Sequence, residues 1–185
     1  MFRIKIAILG PSRSGKTCIS NFLANEVEQF GGEYRQTKGV RVLEFESPYV
    51  NIDGKNINSE IEMWDCSGGM KFKQFWPVFL YKADGYIFVY DSSNVNEVKE
   101  LELFLEYFID KQDIEWINCM IFDNKKGKTK KNGRKLPEKY SQIKQVTVNA
   151  EDDLKKMKDQ FKDFLSSILG RMWDMKDQDD YMLPK

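Results

Sequence analysis

The chain has 185 residues, 29 Lys plus Arg against 29 Asp plus Glu, and no histidine. That length suits one well-buried domain, the charge balance argues against nucleic acid as the main partner, and catalysis by a His base or a His-rich zinc site is excluded. Three scattered cysteines, Cys18, Cys66 and Cys119, stand in apolar surroundings, as in a reduced cytosolic protein without disulfides or thiolate metal sites.

The apolar run Ile4-Lys5-Ile6-Ala7-Ile8-Leu9 predicts a first strand, and G-x-x-x-x-G-K-T follows it at residues 10–17. With a helix predicted over 16–28, this is the context of a phosphate cradle: glycines turn the backbone so that N–H groups face phosphate oxygens, and the helix start adds its dipole. The expected phosphate-binding residues are Gly10, Ser12, Arg13, Ser14, Gly15, Lys16, Thr17 and Cys18. Lys16 would reach the outer phosphates and Thr17 would ligate Mg²⁺.

After a turn-rich piece at 31–37, extended runs at 40–46 and 57–65 read as an antiparallel pair, joined through 51–54 with the turn signal Asp53-Gly54. Residues 71–81 read as helical, 85–90 as a strand, and 95–112 as a helix with Val98, Leu101, Leu105 and Phe108 on its core face. A strand at 118–122 precedes a loop, 123–135, that carries seven basic residues. Such runs are usually solvated. A last strand at 143–148 leads to a helix over 150–172, capped by Asn149 and buried through Leu154, Met157, Phe161, Leu165 and Ile168. Residues 1–172 thus read as one domain, with a short, loose, acidic tail at 173–185.

No signal-peptide core and no apolar run near the ~20 residues of a membrane span are visible. Phe2 does not suit myristoylation, and no terminal cysteine invites prenylation, so no direct membrane anchor is expected. Strands alternating with helices predict an α/β fold: a mostly parallel sheet, helices on both faces, and ligands at the carboxyl ends of the strands.

Further motifs stand in order behind the cradle: Thr37 before the hairpin, D-x-x-G at Asp65 to Gly68, and Asn124-Lys125 after a strand. On these the chain resembles Rab-family small GTPases over residues 1 to about 170, particularly atypical Rab-like members of the ciliary transport machinery. The segments that suggest the latter are Thr37-Lys38-Gly39-Val40-Arg41-Val42-Leu43-Glu44-Phe45-Glu46, Trp64-Asp65-Cys66-Ser67-Gly68-Gly69 with Lys71-Phe72 and Trp76-Pro77, Cys119-Met120, and Glu151-Asp152-Asp153. The resemblance implies a P-loop NTPase of the Ras-like G-domain type, with a six-stranded sheet and one antiparallel hairpin. It also implies GTP or GDP with Mg²⁺ as ligands. Thr17, Thr37 and Asp65 would then serve the metal, Gly68 the γ-phosphate, Tyr34 a lid over the phosphates, and Phe30, Asn124, Lys125, Asn149 and Ala150 the base.

Two departures shape the expected activity. Gly69 fills the slot where a hydrolytic member carries glutamine to orient water, so hydrolysis should be slow or absent. Gly127 stands where N-K-x-D has the carboxylate that selects guanine, so selectivity should be weaker unless Asp123 or a backbone carbonyl substitutes. Arg13 could reach the phosphates, solvent or a partner.

The segment 70–81 is richer in aromatics than one buried face requires. Phe72, Phe75, Trp76 and Phe79 are candidate partner residues, although any two are expected in the core by default. The resemblance implies a stable place on the coiled-coil core subunits of the intraflagellar transport B particle, in cytoplasm and cilium or flagellum, including basal body and axonemal transport particles. A cycling signalling GTPase with a partner-supplied catalytic group is the alternative. A small-molecule phosphotransferase would need a lid and acceptor site that are not evident.

Overall fold

A computed structural model describes residues 2–26, 35–126, 133–149 and 152–182, with side chains as far as 175. Six strands form the main sheet: β1 (Phe2–Leu9), β2 (Val40–Glu46), β5 (Ser59–Cys66), β6 (Gly85–Tyr90), β7 (Cys119–Asn124) and β8 (Lys144–Val148), in spatial order β2-β5-β1-β6-β7-β8. Only β2 runs antiparallel, against β5; every other pairing is parallel. The sheet and its hairpin are those expected.

Alternation along β1 sends Ile4, Ile6 and Ile8 to one face and Ala7 and Leu9 to the other, since successive side chains point oppositely. The first face is covered by α1 (Lys16–Leu23) and α4 (Leu154–Met182), which bring Ile19, Met157, Phe161, Leu165 and Ile168. The second is covered by α2 (Trp76–Leu80) and α3 (Val95–Leu105), through Trp76, Phe79, Val98, Leu101 and Phe104. Asn94 caps α3 by accepting from the N–H groups of Asn96 and Glu97.

The structure refines several expected boundaries. The run at 57–65 is interrupted: β3 (Val50–Ile52) and β4 (Lys55–Ile57) form their own two-stranded sheet, and β5 starts after it. The turn is at Asp53 and Gly54, both at positive φ, with the Gly54 N–H donated to Asn51 Oδ1. Residues 71–81 are not one α-helix. A 3₁₀ segment, Met70–Phe75, passes into α2, where Pro77 occupies the first turn, a place with no intrahelical N–H to lose. The helix predicted to Gln112 turns to π geometry over Glu106–Lys111, keeping Phe108 buried.

The last helix departs most from expectation. Asn149 does not cap it. The Asn149 carbonyl accepts from the N–H groups of Asp152 and Asp153 in a turn, and the helix starts at Leu154. Its other end runs on to Met182, so the tail expected to be loose is helical as far as that residue. Met172 still packs on the core, and the Trp173 ring lies 6.1 Å from that of Phe2, which gives the extension a footing. No helix among the described residues is long and apolar enough to cross a membrane.

Candidate functional site

The cradle leaves β1 at Gly10, where φ is 136° and an added Cβ would lie 2.1 Å from the Val89 carbonyl oxygen. Only glycine fits there. Gly15, at φ 98°, faces Asn124, whose Nδ2 donates to the Ser14 carbonyl at 3.0 Å. The end of β7 is thereby stitched to the cradle. Ser12 and Cys18 are half-buried, Ser14 is buried, and Arg13 is exposed in the left-handed region at φ 66°.

Lys16 is buried, and its ammonium donates to the carbonyls of Gly10 at 2.9 Å and Pro11 at 2.6 Å. Burial pushes its pKa down to about 8, opposed in part by the Asp65 carboxylate. A cation held back over its own loop is placed to move onto an incoming phosphate.

Three elements meet beside it. Thr17 at the start of α1 donates to Asp65 Oδ2 at 2.7 Å, the hydroxyls of Thr17 and Thr37 are 3.1 Å apart, and Thr37 lies 3.5 Å from the same Asp65 oxygen. Asp65 is fully buried at the end of β5; desolvation raises its pKa, against the Thr17 bond and the Arg41 charge. Its Oδ1 has no hydrogen-bond partner among the described residues. Hydroxyl and carboxylate oxygens converging in this way suit a hard cation such as Mg²⁺.

Gly68 packs directly on the cradle: an added Cβ would lie 2.4 Å from Ser12 N. Beside Gly69 the corresponding position is 2.8 Å from the amide nitrogen of Gln36, so a neighbouring side chain already enters that space. The sequence reading missed Gln36, although its place next to Thr37 was the available signal.

On the base side the structure removes one substitute for the missing carboxylate. Asp123 accepts from the Ser92 N–H and hydroxyl, both at 2.8 Å, and pairs with the Lys125 ammonium at 3.4 Å, so it is committed to the end of β6. Lys125 also approaches Asp91 at 3.9 Å. Asn149 donates through Nδ2 to Asp152 at 3.2 Å, and its N–H goes to Asp153 at 2.8 Å. Phe30, Tyr34, Gly127 and Ala150 lie outside the described residues.

The aromatic set must be divided. Trp76 and Phe79 are core residues, not partner residues, because the first turns of α2 point both rings into the sheet face beside α3. Phe72 is half-buried and Phe75 is 42% exposed, with Met70, Val78 and Tyr81 also on the surface.

Residues 5–125 match the family model of Roc, the Ras of Complex domain of DAPkinase. Over 182 residues the chain is 34% identical to a Xenopus tropicalis intraflagellar transport protein 22 homolog and 32% to the Homo sapiens one, with 97% of each chain covered in both comparisons. It is 27% identical to Caenorhabditis elegans intraflagellar transport associated protein 2, covering 89% of this chain and 79% of that one. The T. brucei IFT22/74/81 GTP-bound crystal structure superimposes with a TM-score of 0.75 at 25% identity, over 95% of this chain and 99% of the other. A GTP-bound crystal structure of T. brucei IFT22 gives 0.63 at 24% identity, over 90% and 95%, a likeness of fold. The Ras-like domain, the hairpin that sets its β2 edge and the full-length relatives together place this chain in the intraflagellar transport protein 22 family of small GTPase-like proteins.

Proposed function

We propose that this chain is a GTP-holding subunit of the intraflagellar transport B particle, in which bound nucleotide shapes a docking surface for coiled-coil transport subunits. The carrying observation is the meeting of Thr17, Thr37 and Asp65, from three separate elements, beside an intact cradle. The backbone of residues 10–17 and Lys16 would hold the phosphates. Thr17, Thr37 and Asp65 would hold Mg²⁺, which offsets phosphate charge. The loop around Thr37 and the segment after Gly68 both border that centre, so filling it orders the surface that carries Phe72 and Phe75. The relatives' ciliary role and the GTP-bound IFT22/74/81 neighbour support this reading, as does a Gly69 that cannot itself position water.

Protein purified without added nucleotide is expected to carry guanine nucleotide, identified by chromatography, and to turn over bound GTP far more slowly than an ordinary Rab in a single-turnover assay. ATP, or an ordinary Rab rate, would overturn the proposal. A second reading, a cycling GTPase, is favoured by one contact, the Gln36 amide in the space beside Gly69. If Gln36 orients water there, Gln36→Ala lowers the single-turnover rate about tenfold or more; an unchanged rate removes Gln36 from the chemistry and leaves the second reading only with a catalytic group supplied by a partner.

A further inference from the structure

Arg41 lies on β2 directly opposite Asp65 in the antiparallel register, so both side chains leave the same face of the sheet. Its Nε is 3.6 Å from Asp65 Oδ2, and its Nη2 donates to Asn21 Oδ1 on α1, the helix whose first turn carries Thr17. No other ion pair to Asp65 occurs among the described residues. The Arg41 side chain is 39% exposed, yet its Nε is buried and makes no hydrogen bond among the described residues, and Asp65 Oδ1 is in the same state. A shift of about half an ångström would turn this ion pair into an N–H···O bond of ordinary length.

A carboxylate as deeply buried as Asp65 needs a compensating positive charge. Lys16 also favours the Asp65 charge, but its ammonium is directed at the carbonyls of Gly10 and Pro11, which leaves Arg41 as the cation at ion-pair distance from Asp65 among the described residues. We propose that Arg41 is a resident counter-cation that shares Asp65 with Mg²⁺, holding the carboxylate's charge when the ion is absent and weakening the ion's affinity when it is present. The proposal rests on the Mg²⁺ role given above to Thr17, Thr37 and Asp65. Its consequence is a nucleotide site that tolerates loss of the metal, as suits a subunit that holds nucleotide rather than cycling it. A unit charge a few ångströms from a divalent ion in a partly exposed site is worth about tenfold in affinity.

The test uses the full chain loaded with a non-hydrolysable GTP analogue. Mn²⁺ affinity is read by electron paramagnetic resonance, and nucleotide release is timed in Mg²⁺ and in excess chelator. Arg41→Gln is expected to bind Mn²⁺ about tenfold more tightly than wild type, and its release to be accelerated about tenfold more by chelator. Arg41→Lys, which keeps the charge but not the fork to Asn21, should stay close to wild type in both. Asn21→Ala removes only the tether and should leave Mn²⁺ affinity unchanged. An Arg41→Gln protein with unchanged Mn²⁺ affinity and chelator response overturns the proposal. So do Arg41→Lys or Asn21→Ala proteins that shift as Arg41→Gln does, because Arg41 would then only fasten β2 to α1. If neither wild type nor Arg41→Gln binds Mn²⁺ while both retain nucleotide, the Mg²⁺ role itself falls, and this proposal with it.

Discussion

Replacing Trp76 with alanine should destabilise the fold by about 3–5 kcal/mol, whereas Phe75→Ala, one residue earlier, should stay within about 0.5 kcal/mol. Trp76 is fully buried, with its ring centroid 4.6 Å from Phe104, 4.9 Å from Tyr107 and 5.4 Å from Phe108. Truncation would remove the centre of the aromatic cluster between α2, α3 and the sheet, leaving a cavity its neighbours only partly fill. The indole N–H makes no hydrogen bond among the described residues, so the ring stabilises the fold through apolar area and ring packing, with the Lys73 ammonium 5.3 Å from its centroid. Phe75 is 42% exposed, and its ring centroid lies 6.2 Å from that of Phe72. Under the function proposed above, its loss should appear instead as weaker binding to transport subunits. Urea unfolding of the two variants checks this, and equal midpoint shifts would show that the division of this segment into core and surface is wrong.

Nucleotide-free protein should gain stability as pH rises from about 8 to 10.5, and Lys16→Met should abolish that gain. The Lys16 pKa is pushed down to about 8 in the folded protein, from an ordinary value of 10.5. Below about 8 both folded and unfolded chains carry the proton, and the cost of burying the cation is borne in full. Between the two values the unfolded chain keeps a proton that the folded chain has shed, so stability rises with pH; above 10.5 both are neutral. The expected gain over the whole window is of order 3 kcal/mol, at about 1.4 kcal/mol per unit of pKa. Methionine keeps an unbranched, flexible stem without the charge. Lys16→Met should therefore melt higher than nucleotide-free wild type at pH 7 while no longer copurifying with nucleotide. The wild-type minus Lys16→Met difference, measured by urea unfolding at pH 7 and 9.5, isolates this one group. A Lys16→Met protein less stable than wild type at pH 7 would mean that the bonds to Gly10 and Pro11 outweigh the desolvation cost.

The outline of the fold was legible because the strands and the two long helices carry their own periodicity. Ile4, Ile6 and Ile8 against Ala7 and Leu9 show a strand buried on both faces, and Leu154 to Ile168 mark one helix face. The interrupted strand was harder to see. Ile57 sits in an unbroken extended run, yet β4 ends there and β5 begins at Ser59, where the Ser47 N–H donates to the Ser59 carbonyl and the Ser59 N–H to the Ser47 hydroxyl. The C-terminal extension was missed for a similar reason. Its acidic composition resembles a loose tail, whereas the helix gains its footing from Phe2 and Trp173, at opposite ends of the chain.

By itself the sequence determined which chemistry is possible: a glycine-hinged cradle, hydroxyl and carboxylate donors for a hard cation, and no histidine or catalytic glutamine at Gly69. These are properties of residue type and local spacing, which no packing can alter. Only the tertiary structure decided which groups are available, because availability depends on what each side chain meets after folding. It committed Asp123 to Ser92, buried Trp76 and Phe79, brought Gln36 beside Gly69, and set Arg41 across from Asp65. Each of these juxtapositions joins residues whose partners are chosen by strand register and helix packing, at separations over which sequence periodicity carries no information.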